Sequence, residues 1–276
     1  MSNAPQIEPI NFSLLEKQEV GVVSDIINRA FHVDKFFKYQ EYYDRTSPSS
    51  LLEAYNAQGR DDIAYVIGRA RVATAQSDTP EYSPRCAVLI TWNIEVILTF
   101  KDGTHISKTD PLNAFLSSRR SIDEVVSHGT HEGSGCEASP QQQPIDSVVV
   151  RLVGLISQVS VDPDYEKRGI GKQLIKAAEA HIISFAQLYR EKILDHTANA
   201  LESSALNIPE SLRGGDDGIT FHVVGQMEVL SVRPGMFFVI TILLYSLLLS
   251  SSPLHITKAY PQIILIHSVL LLPYSL

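Results

Sequence analysis

Apolar positions recur along this chain with two periods, one near 3.6 and one near 2, and each change of period marks an element. From Val20 to Phe31 the spacing of Val20, Val23, Ile26, Ile27 and Phe31 predicts an amphipathic helix. Thr46-Ser-Pro-Ser49 opens a second helix: a capping hydroxyl, a proline in the first turn, then Leu51, Leu52 and Tyr55, with Gly59 as the stop. Phe36, Phe37, Tyr39, Tyr42 and Tyr43 crowd the connection between the two and suit packing there. Ala64–Gly68 and Cys86–Leu98 have strand composition, and the second run is long enough to bend or to be two strands. Lys101-Asp-Gly-Thr104 predicts a hairpin turn, and Leu112 to Leu116 a short helix. Arg151 to Val161 predicts a further strand, closed off by Pro163. From about Gly171 to Arg190, and on toward Leu201, helical spacing returns through Leu174, Ile175, Ala178, Ile182 and Phe185, with Lys172, Lys176 and Glu179 on the opposite side. Ile219 to Val232 predicts a last strand, its core Gln226–Val232.

Two stretches have no period. Residues 127–147, rich in Gly, Ser, Gln and Pro, and residues 202–218, with Gly214, Gly215 and Gly218 among aspartates, are expected to be insertions, the first disordered. His128, His131 and Cys136 fall in the first. Their spacing matches no metal-ligand pattern, so no metal site is expected.

Charge changes the picture at one point. The chain of 276 residues has a formal net charge of −8, which gives no bulk electrostatic ground for nucleic-acid binding. From Val229 to Leu276, however, the only Lys, Arg, Asp or Glu residues are Arg233 and Lys258. Two apolar runs, Met236–Leu249 and Ile263–Leu272, occupy this end. Cys86 and Cys136 imply no disulfide framework, and the polar start Met1–Glu8 has no signal-peptide character; a reducing, cytoplasmic or nuclear compartment is the expectation.

The candidate chemistry lies between the central strand and the long helix. Arg168-Gly-Ile-Gly171 sets two glycines at the mouth of a helix whose first amides lack internal partners. With the helix dipole and Lys167, Arg168 and Lys172 nearby, this is an anion cradle. It is not a P-loop, because Gln173 follows Lys172 and Glu166 stands where the first glycine belongs. It is not a dinucleotide fingerprint either, because Leu174 replaces the third glycine.

Val159-Ser-Val-Asp-Pro163 followed by Gly169-Ile-Gly171 resembles the signature of the GNAT superfamily of N-acetyltransferases, Gln/Arg-x-x-Gly-x-Gly/Ala after an apolar-x-apolar-x-Pro strand end. Glu166 departs from the usual Gln or Arg. The resemblance implies an α/β (α+β) fold: a mixed, mostly antiparallel sheet flanked by helices, with a central strand, glycine turn and helix that bind coenzyme A. It implies that Glu166, Lys167, Arg168, Gly169, Ile170, Gly171 and Lys172 receive the pyrophosphate of acetyl-CoA, and that amides near Val159, Ser160 and Val161 meet the acetyl carbonyl. The acceptor would be a small-molecule or peptide amine, with the aromatics after Phe31 as an alternative lining for its pocket. The central strand offers no carboxylate as base, so Glu228 on the neighbouring strand is the catalytic candidate.

The resemblance stops at Arg233-Pro234. Family members usually continue with a helix carrying a tyrosine that protonates the leaving thiolate; here Tyr245 has the wrong spacing and no such acid is assignable. Residues 1–234 are therefore read as the acetyltransferase domain and 235–276 as an appended apolar tail. Translation into an unspliced intron, whose T-rich codons give Phe, Leu, Ile, Ser and Tyr, would account for the abrupt change; membrane association through 235–276 and an unusual folded C-terminus are the alternatives. A degenerate, inactive acyl-CoA-binding GNAT protein is the rival function.

Overall fold

The computed structural model describes residues 9–31, 44–58, 63–72, 81–118, 130–132, 144–204, 208–209, 219–233, 236–248 and 265–268. Side chains of Val72, Thr130–Glu132 and everything from Glu228 onward lie outside that description, as do Phe36 to Tyr43, Gly59, His128 and Cys136.

Among the described residues, nine strands form one mixed sheet: β1 (Ile10–Leu14), β2 (Ile63–Val72), β3 (Glu81–Phe100), β4 (His105–Pro111), β5 (Thr130–Glu132), β6 (Ile145–Val161), β7 (Ile219–Arg233), β8 (Met236–Leu248) and β9 (Leu265–Ser268). The main order is β1-β2-β3-β6-β7-β8-β9, with β4 on β3 and β5 on β4. Every pairing is antiparallel except β6 with β7. A parallel neighbour cannot be reached through a hairpin; the crossover here contains the long helix α4 (Ile170–Glu202). The remaining helices are α1 (Val20–Ala30), α2 (Pro48–Ala57) and α3 (Leu112–Ser117).

The period-2 alternation builds two cores, one on each face. On β2, Ala64 and Val66 point into one, Tyr65 and Ile67 into the other. The larger core joins Ile90, Trp92, Ile94, Val96 and Leu98 of β3 and Val148, Val150, Leu152 and Ile156 of β6 to Ile170, Leu174, Ala178 and Ile182 of α4. The smaller lies under α1 and α2, where Val23, Ile27 and Leu51 meet Tyr65, Ile67 and Ala87. This is the mixed, mostly antiparallel sheet flanked by helices that the sequence resemblance implies.

Local signals account for the helix ends. Ser47 caps α2, its Oγ accepting from Ser50 N at 3.1 Å, and Pro48 stands in the first turn. The hairpin at residues 101–104 closes through Gly103 at φ +84°, with Asp102 Oδ1 accepting from Thr104 N at 2.9 Å. The stretch expected to bend or to be two strands, Cys86–Leu98, lies inside one strand of 20 residues. Its length is supported from both sides: β2 and then β4 pair along one edge, and β6 along the other. β6 begins at Ile145, so the end of the aperiodic stretch 127–147 already belongs to the central strand. The apolar run after Pro234 runs antiparallel to β7, from Arg233↔Met236 to His222↔Leu248.

Candidate functional site

The site is built where β6 loses its regular pairing. Against β3, Ala87 faces Ser160 and Leu89 faces Ser157, so Gln158 and Val159 together oppose one residue, Val88. This β-bulge turns Gln158 to φ +49°, a left-handed conformation uncommon outside glycine. Two hydrogen bonds hold it. Tyr65 Oη donates to Gln158 Oε1 at 3.0 Å, and Ser160 Oγ donates to Gln158 O at 3.0 Å. Ser160 is buried; Val159 and Val161 pack their side chains against the larger core. Burial pushes the Tyr65 phenol up to about 12, so it stays a donor across the neutral range.

On the other edge, β6 and β7 pair from Val148↔Ile219 to Ile156↔Met227 and no further. Beyond Ile156, among the described pairings, β6 has a neighbour only on the β3 side. The β6–β7 ladder thus stops beside the bulge, at the strand segment expected from sequence to meet a carbonyl. Glu228 follows the last residue of β7 that pairs with β6, and its backbone pairs with Thr241 of β8.

The chain then turns into α4. Asp162 ends the strand, a 3-10 turn spans Pro163–Tyr165, and Asp162 Oδ1 accepts from Asp164 N at 3.2 Å. Lys167 at φ +61° and Gly169 at φ +73° reverse the backbone, and Gly169 caps α4. The first helical hydrogen bond of this end runs from Gln173 N to Gly169 O at 3.3 Å. The amides of Ile170, Gly171 and Lys172 therefore have no partner within the helix. Glu166, Lys167, Arg168, Gly169 and Lys172 are exposed, while the Ile170 side chain is buried and fixes the helix start to the core. A Cβ built on Gly169 would meet nothing within 4 Å, so the mouth of the cradle is open. The sequence-predicted cradle residues are thus brought together with the bulge, at the end of one strand.

Asp162 was not singled out by its sequence context. Only 1% exposed, it faces Arg29 of α1 (Nη2–Oδ2 3.3 Å) and Arg85 of β3 (Nη1–Oδ2 3.5 Å). Arg29 also reaches Asp164 at 3.7 Å. The guanidinium groups of Arg85 and Arg168 lie 4.6 and 4.7 Å from the Tyr165 ring centre, and Arg168 Nη2 donates to Asp164 O at 3.2 Å. The proline after it marks the end of the strand in the sequence, but nothing local indicates partners more than seventy residues upstream. Cys86, also near this end of β3, is a fully buried thiol pushed up to about 12 by burial, which suits packing rather than reactivity. Among the described residues no group of three His, Cys, Asp or Glu side chains could hold a metal ion.

Residues 135–203 match the family model described as the acetyltransferase (GNAT) family. That segment contains β6, the glycine turn and α4, so the GNAT resemblance holds over every element of the cradle. Solved structures similar to the chain include an acetyltransferase of Trypanosoma brucei, at 13% identity and a TM-score of 0.28, covering 67% of this chain and 77% of that one. Another is Arabidopsis thaliana NAA60 in complex with a bisubstrate analogue, at 12% identity and a TM-score of 0.29, covering 82% of this chain and 78% of that one. No curated protein matches the chain.

Proposed function

We propose that the chain is an acetyl-CoA-dependent N-acetyltransferase that transfers the acetyl group to a primary amine, small molecule or peptide, by direct attack in a ternary complex. One observation carries the proposal: the β-bulge at Gln158, the point where β6 stops pairing with β7 and the open glycine cradle of α4 lie within a single segment, residues 156–172. The donor set fits the cofactor. Unpartnered helix amides and the exposed Lys167, Arg168 and Lys172 suit a pyrophosphate, and Gly169 leaves room for it. Acetyl-CoA, when bound, supplies the activated thioester.

The chain's own residues then have three tasks. Amides near Val159 to Val161 would stabilise charge developing on the carbonyl oxygen, aimed there before the reaction by the bulge. The place where the β6–β7 ladder stops would hold amine and thioester in register, replacing a bimolecular encounter. Glu228 is proposed to take the amine proton, directly or through a water. Nucleic acid is not proposed as a partner. Residues 1–234 are proposed as the catalytic domain, in a cytoplasmic or nuclear setting. Among the described residues no helix is long and apolar enough to cross a membrane, and membrane association is proposed only as an alternative role of 235–276.

A second proposal, a GNAT-like protein that binds acyl-CoA without turnover, is favoured by the absence of an assignable thiolate acid after Pro234. Thermal shift with acetyl-CoA and then an acceptor-amine screen separates the two. Stabilisation with thiol release on adding an amine supports the enzyme. Stabilisation without release from any amine supports the binding protein. No stabilisation overturns both.

A further inference from the structure

The polar cluster around Asp162 joins the cradle to a helix on the α1 side of the molecule. Asp162 is a buried carboxylate at the last residue before the turn, and both of its cationic partners come from other elements. Its backbone is held as well, Asp162 N donating to Arg85 O at 2.8 Å and Tyr165 N to Asp162 O at 2.8 Å. Arg29, in the last turn of α1, touches both carboxylates that flank Pro163. A pyrophosphate approaching this turn would meet those two negative charges. The arginines neutralise them and fix the turn's geometry in the same contacts.

We infer that Arg29 is a positioning residue for the coenzyme cradle, acting through Asp162 and Asp164, and that it transmits cradle occupancy to α1. The inference rests on the acetyl-CoA proposal above. Coupling of this kind is reciprocal: a cradle tightened by its ligand tightens the end of α1, and loosening that end weakens the cradle.

The test is hydrogen exchange and calorimetric titration with coenzyme A alone, on the full chain. In the wild type, coenzyme A should slow amide exchange in residues 163–175 and also in residues 26–30. Arg29→Ala should weaken coenzyme A binding about fivefold, since the guanidinium is half exposed. It should keep the ligand's protection of 163–175 at saturation and lose that of 26–30. Arg29→Lys keeps the charge and should recover most of both effects; a folding defect in Arg29→Ala would not be cured this way without restoring the contact. Wild-type protection of the turn without protection of α1 overturns the inference and leaves the acetyl-CoA proposal standing. Failure of Arg29→Lys to restore affinity or protection also overturns it. No coenzyme A binding to the wild type overturns both.

Discussion

Gly169 and Gly171 sit two residues apart, yet the structure gives them different work. Gly169 is at φ +73° with open space around it. Gly169→Ala should therefore destabilise the fold by about 1–2 kcal/mol through backbone strain alone, read from the urea midpoint. Gly171 is the second residue of α4, and a Cβ there would make only an ordinary contact, Val161 Cγ2 at 3.8 Å. Gly171→Ala should leave stability unchanged or raise it by up to ~1 kcal/mol through helix propensity. Any loss of coenzyme A affinity in that variant then reports ligand crowding; unchanged affinity would remove the pyrophosphate from this turn. The two glycines were legible in the sequence because their chemistry is local. Gln158 was not. Its left-handed backbone arises from a two-against-one register between β6 and β3, and its hydrogen bond comes from Tyr65, 93 residues earlier. No property of glutamine announces either.

At the scale of elements, β6 and α4 were legible from period and composition; the end of β6 and the start of α4 fell within a residue or so of the reading, while β6 begins at Ile145, six residues before the strand read from Arg151. What periodicity could not show is how closely they approach. A Cβ on Gly154 would stand 2.7 Å from Ile182 Cδ1 and 3.0 Å from Trp92 Cζ3, so the central strand and α4 meet across a missing side chain. Gly154→Ala should cost about 1–3 kcal/mol by overpacking, measured as a lower denaturation midpoint with an unchanged slope. Trp92 is also stacked on Phe185 at 4.0 Å, which stacks on Tyr189 at 4.2 Å, so little yields on that side. An unchanged midpoint would mean that Ile182 re-packs freely. β3 shows the converse: a run long enough for two strands stays one because neighbours on both edges support its full length, a fact outside its own sequence.

At the scale of the molecule, three histidines, His181, His196 and His222, are held below the ordinary ~6.5 chiefly by burial, His222 also by the nearby Arg151 charge. Each lowered value means that the unfolded chain binds a proton the folded chain resists. Their contribution to stability is therefore present above pH ~6.5 and lost as pH falls through the folded values, so Tm should drop between pH 7 and pH 5. The sheet's far edge carries the last prediction. β9 pairs only with Val239–Ile242 of β8, so among the described residues Leu243–Leu248 is paired on the β7 side alone. Open strand edges are normally protected by charge, proline or a bulge. Of these, this segment, Leu-Leu-Tyr-Ser-Leu-Leu, has a bulge at Leu244, where Gly225 pairs with Tyr245 and Gln226 with Leu243, but no charge and no proline. It lies within a stretch, Val229 to Leu276, in which Arg233 and Lys258 are the only Lys, Arg, Asp or Glu residues. Edge-to-edge pairing between copies should follow, giving self-association that grows with concentration. Leu244→Lys with Ser246→Lys places two cations on that edge, where pairing with a second copy would set like charges face to face. The double variant should elute as a smaller species in size-exclusion chromatography with light scattering, with coenzyme A binding retained. A wild-type chain that is monodisperse and monomeric at high concentration would overturn this prediction.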